Sequence, residues 1–138
     1  MSRFLLALSG VLYLACLPGE AFCVHDACSN WPGWSILAFG FIPFAASLAN
    51  LTWFANPMLF LAWILVFQRR KEAACLLSLA SLVIAASFLL MNKVATDESG
   101  NLSIITGYKS GYWLWVASMG TAFASALVLD RRPKAIVA

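Results

Sequence analysis

The sequence predicts an all-α integral membrane protein: a four-helix transmembrane bundle in one domain, residues 1–138, with both termini on the cytoplasmic side. Three observations predict it. Apolar residues make up 62% of the chain and charged residues 11%, against about half and about a quarter in a soluble domain. Folding in water would leave apolar surface with no interior to enter. Charge-free segments recur at lengths near the roughly 20 residues that cross about 30 Å of hydrocarbon. Finally, the basic residues cluster on alternate connections between those segments, as orientation in a bilayer requires.

The first span is placed at about 3–17. Phe4 to Leu17 is short and ends at Pro18-Gly19-Glu20. With Arg3 in front and small residues behind, it also has the form of a signal-peptide core. Leu14-Ala15-Cys16 partly matches a lipoprotein cleavage site, although Tyr13 fits that pattern poorly. A retained span is the expectation and a cleaved signal the alternative.

Trp34 to Phe67 runs 34 residues without a charge. As one straight helix it would be about 51 Å long, too long for the membrane even when tilted. Gly40, Pro43 and Asn56-Pro57 are the positions where it would bend or break. The expectation is a second span over 47–67, preceded by an interfacial or re-entrant piece over 34–46, with one long kinked helix as the alternative. The third and fourth spans, 73–91 and 112–129, carry no charged side chain. Asp130-Arg131-Arg132 closes the last.

With four crossings, Arg3, Arg69, Arg70, Lys71, Arg131, Arg132 and Lys134 fall on one side, and Lys93 and Lys109 on the other. That bias puts both ends inside a cell membrane, the inner membrane if the source is bacterial. Trp31, Trp34, Tyr108, Tyr112, Trp113 and Trp115 then gather near the outer boundary and Trp63 near the inner one, as belt anchors. Gln68 to Glu72 is short enough to force an antiparallel helical hairpin. In the second outer loop, Val94–Thr96 and Leu102–Thr106 flank Asp97-Glu98-Ser99-Gly100-Asn101 and can pair as a β-hairpin. Such a hairpin is marginal alone and needs to pack on the first loop.

Chemistry is sparse. Cys23 and Cys28 are the expected disulfide if the outer side is oxidising. Thiol-redox catalysis would need a close pair, usually Cys-x-x-Cys, and a second pair to relay electrons. Here four residues separate Cys23 from Cys28, and the second outer loop has no cysteine. His25 and Asp26 beside them are read as solvated loop residues, because no second cluster would complete a metal shell. No metal, cofactor or catalytic residue is assigned. The spans hold no Asp, Glu, Lys, Arg or His, which argues against proton-coupled export, proton relay and voltage sensing.

The polar residues inside the second apolar segment are Asn50, Thr52 and Asn56. Pro57 frees the carbonyl of Trp53, four residues earlier, and Asn56 is placed to satisfy backbone groups or bond a neighbouring helix. A polar pore or ligand lining is the alternative. Ala74, Ser78, Ser81 and Ala85 form one small-residue stripe, and Ser118, Ala122 and Ser125 another. Small residues let helix backbones approach closely, and serine faces also line water-filled pores.

The expected function is that of a small non-enzymatic membrane protein. Its partners are the lipid bilayer and either its own copies or the other subunits of a membrane complex. An oligomeric channel lined by Ser, Thr and Asn is the second reading, and a thiol-redox or lipid-modifying enzyme the third. No basic stretch has the length or aromatic interleaving of a nucleic-acid footprint, so that partner class is set aside.

Overall fold

The computed structural model describes residues 1–42, 47–97 and 99–130. Pro43, Glu98, Arg131, Arg132 and Lys134, together with the end of the 34–46 piece, lie outside the described residues. The chain is mostly helical. Its elements are α1 (Ser2–Cys16), β1 (Phe22–Val24), α2 (Gly33–Phe39), α3 (Leu48–Leu51), α4 (Ala55–Phe67), α5 (Lys71–Ser87), β2 (Lys93–Ala95), β3 (Leu102–Tyr108) and α6 (Ser110–Leu127). A 3-10 turn, Thr52–Phe54, joins α3 to α4, and another, Phe88–Leu90, extends α5.

Two helical runs are long and apolar enough to cross a membrane, Leu48–Phe67 and Lys71–Leu90. The expected four spans are met only in part by that measure. Helix α1 has 15 residues, about 22 Å at 1.5 Å per residue. Helix α6 has 18, but its Ser, Gly, Tyr and Trp residues dilute its apolarity. An all-α description is also incomplete, because a three-stranded antiparallel sheet of order β1-β3-β2 is present.

The apolar stretch 34–67 does not form one long helix. Helix α2 ends at Gly40, and a new helix starts at Ser47, whose extended backbone and hydroxyl cap accept the Ala49 N–H at 3.1 Å. That is the usual device for an orphan donor at a helix start. A β-carbon on Gly40 would stand 2.9 Å from the Trp53 ring, so glycine lets that ring reach α2. There Trp53 Nε1 donates to the Leu37 carbonyl at 3.0 Å.

Helix α4 stops in a Schellman-type motif. Arg69 takes a left-handed conformation, φ 56°, while Arg70 N–H bonds the Leu65 carbonyl and Arg69 N–H that of Val66. The turn reverses the chain into α5.

Helix α6 packs along both α1 and α5, and α5 packs along α4. Leu6, Val66, Ala74, Ala126 and Leu129 form one apolar cluster. This puts the start of α1, the 69–71 turn and the end of α6 at one end of the molecule. Phe22, Val24, Ala49, Phe88, Val94 and Tyr112 form the cluster at the other end, the cap.

In the cap, the expected hairpin pairs Lys93 with Ile104 and Ala95 with Leu102. The first loop does more than pack on it. It contributes β1, with Phe22 opposite Tyr108 and Cys23 opposite Gly107.

Candidate functional site

The cap roofs a cavity of about 300 Å³. Helix α2 covers it, the start of the run Leu48–Phe67 and the outer turn of α1 floor it, and β2 closes one side. Its apolar walls include Phe22, Trp31, Ile36, Leu37, Phe88 and Val94. Asn50, Thr52 and Asn56 all line it, so the structure gathers three of the four polar or kink residues singled out in the second segment. Pro57 sits one residue beyond.

Asn56 is the central knot. Its Oδ1 accepts the Tyr13 hydroxyl at 2.9 Å and the Trp115 indole N–H at 2.8 Å. Its Nδ2 donates to the Trp53 carbonyl at 2.9 Å, which receives no α-helical N–H from Pro57 four residues on. One amide thus repairs α4 and ties it to α1 and α6. Asn50 bonds the peptide of Ala95 twice, accepting its N–H at 3.0 Å and donating to its carbonyl at 3.3 Å. This pins the end of β2 to α3. Thr52 donates to the Ala49 carbonyl at 2.6 Å.

The serine stripes face other helices of the same chain. Ser78, Ser81, Ser118 and Ser125 are fully buried, with Ala74, Ala85 and Ala122 beside them. Ser81 donates to the Ala55 carbonyl of α4 at 2.9 Å. Ser78 and Ser118 donate within their own helices, to Ala74 and Trp115. Ser125 and Ser2 donate to each other's carbonyls at 2.8 and 3.1 Å. Ser9, which spacing did not single out, donates to the Ser118 carbonyl at 2.6 Å and accepts Trp63 Nε1 at 2.9 Å.

Trp63 and Trp115 therefore act as internal hydrogen-bond donors. Trp34 and Trp113 remain half exposed. Among the described residues, every buried side-chain nitrogen and oxygen has a partner.

Cys23 and Cys28 are bonded to each other. The turn between them explains why they meet. His25 and Asp26 both have positive φ, 49° and 64°, and Val24 and Ala27 exchange both backbone hydrogen bonds. A two-residue loop of that hand matches the twist of the flanking strands. It places the cysteines as the next cross-strand pair, their Cα atoms 4.2 Å apart. Both turn residues are exposed. Asp26 N–H also donates to the Thr106 hydroxyl at 3.0 Å, anchoring the turn on β3.

Cys16 is buried at the end of α1 and Cys75 is partly buried in α5. No three metal-ligating side chains gather among the described residues. At the rim, the Asn101 side-chain amide, aided by its backbone N–H, holds the Asp97 carboxyl below the usual range.

Tyr13, Trp63, Trp115 and Ser9 are the participants that sequence reasoning missed. Their positions inside apolar helices were visible, but their partners lie 43 to 109 residues away. No protein-family model, curated protein or solved structure matches this chain.

Proposed function

We propose that the protein is a non-enzymatic membrane protein, crossing the bilayer four times with both termini cytoplasmic, that acts by binding through its cap. The observation that carries this reading is the inverted distribution of side chains. Small and polar residues fill the interior, including Ser9, Ser78, Ser81, Ser118 and Ser125. Large apolar ones point outward, among them Phe4, Leu14, Leu61, Phe67, Leu76 and Val83. In water such a surface is a liability, whereas in lipid it is the solvent-matched face.

Arg3, Arg69, Arg70 and Lys71 stand at the end opposite the cap, which supports a cytoplasmic placement for that end. The polar groups hold helices together, which favours a binding role over chemistry. Assembly with other copies or subunits would have to use surfaces other than the serine stripes, which the chain covers itself.

Cysteine labelling tests the topology. In a background where Cys16 and Cys75 are serine, Asn101→Cys is expected to react with an impermeant maleimide in intact cells. Gln68→Cys is expected to react only after permeabilisation. Equal labelling of Gln68→Cys in intact cells would sink the four-crossing arrangement.

A further inference from the structure

We propose that the cavity beneath α2 takes up one hydrocarbon chain of a membrane lipid from the leaflet on the cap side. This rests on the membrane reading above.

The chemistry of the walls selects the occupant. Asn50, Thr52, Asn56 and Tyr112 border the space, but their polar atoms are spent on Ala95, Ala49, Tyr13, Trp115, Trp53 and Ala85. Away from Ser35, Thr96 and Asp97, which also line the space, a polar ligand would lose its water and gain little in return. Water itself needs two to four polar partners to stay in such a space. A hydrocarbon chain needs only apolar contact, which the aromatic and aliphatic walls supply.

Size narrows the choice. About 300 Å³ lies at the small end of ligand pockets and suits one chain, not the two chains of a whole phospholipid. Access agrees. Phe39 and Ile42 line the cavity while standing 59% and 41% exposed, and Phe41 beside them is 45% exposed. The rim is therefore continuous with the apolar surface that faces lipid. Thr96 and Asp97 also border the cavity, on the exposed hairpin. This leaves a polar edge where a headgroup stays in water.

The test uses the three cavity tryptophans, Trp31, Trp53 and Trp115, as reporters. Trp34 and Trp113, which face outward, are changed to Phe, and Trp63, which bonds Ser9 away from the cavity, stays as a constant background. The protein is placed in lipid nanodiscs and titrated with a lysophosphatidylcholine brominated in mid-chain, a short-range quencher. Quenching is expected to saturate at one quencher per protein. Ser35→Phe, which fills the space from α2, is expected to weaken it at least tenfold. Ala21→Leu, from the opposite wall, should do the same, and a native melting curve in either variant shows that the fold is intact.

Quenching that rises in proportion to the quencher's mole fraction overturns the proposal. So does saturable quenching unchanged in a folded Ser35→Phe or Ala21→Leu variant. A protein that stays soluble without detergent and does not enter nanodiscs overturns the membrane reading and this inference with it. Reconstitution with proportional quenching overturns only the inference.

Discussion

The packed helices and the cap solve the same problem with opposite materials. Between α1 and α6, and between α5 and α4, the contact relies on Ser and Ala, and hydrogen bonds run from hydroxyls to backbone carbonyls. Short side chains bring the backbones close and leave little to misfit. The cap is built from three short strands, a disulfide and stacked rings such as Phe22 on Trp31, 5.7 Å apart. Large rings on irregular backbone tile space poorly, and the cavity lies where the two constructions meet. Asn56 is the junction, where Tyr13 of α1 and Trp115 of α6 meet on one amide of α4.

That comparison can be broken most severely at the junction. Asn56→Leu removes the acceptor for Tyr13 and Trp115 and the side-chain donor to the Trp53 carbonyl. At about 0.6 to 1.7 kcal/mol for each of the two interhelical bonds, the loss is about 1 to 3 kcal/mol. It should register as a large drop in thermal stability in detergent, and an unchanged melting curve would show that the knot carries little.

Ala122→Leu comes next. It forces a branched side chain into a closed seam, an overpacking worth about 1 to 3 kcal/mol, read by the same curve. Leu76→Ile, on the exposed face, should register close to nothing.

A smaller and more local effect is expected from Cys23→Ser. The loop closed by the disulfide is short, so the entropic gain is about 2 kcal/mol at most. Hydrogen exchange should quicken in β1 and the His25-Asp26 turn while α5 and α6 are unchanged. Faster exchange throughout would mean that the cap and the helices form one cooperative unit.

The smallest effect concerns Asp97. Its carboxyl is held below the ordinary aspartate value of about 3.9 by Asn101, so the support it gives the hairpin turn is present above that value. The support fades as pH falls through the lowered one. The Asn101 amide should gain an extra step of faster exchange as the carboxyl is protonated, with no such step in Asp97→Asn.

How much of this was written in the residues varies with distance along the chain. The break at Gly40 and the partner for the Trp53 carbonyl follow from local rules about glycine and proline. The hairpin of β2 and β3 was legible in two β-branched patches around a turn. Strand β1 was not, since Phe22-Cys23-Val24 is too short to show alternation, and His-Asp is an unusual choice for a left-handed two-residue loop. The tryptophans misled for another reason. Composition says that Trp favours interfaces, but whether Trp63 and Trp115 face lipid or a buried acceptor depends on Ser9 and Asn56, brought alongside only by the tertiary fold.

The bond from Ser9 to the Ser118 carbonyl spans 109 residues, and it carries a consequence for how the chain is made. At roughly 5–20 residues per second of synthesis, α1 leaves the ribosome on the order of 5 to 20 seconds before the segment it packs against. During that interval the Ser2 and Ser9 hydroxyls lack their carbonyl acceptors on α6, although Asn56 and Trp63 of α4 already stand ready for Tyr13 and Ser9. The helix made first is the one completed last, and the quality of the whole assembly is decided when α6 arrives.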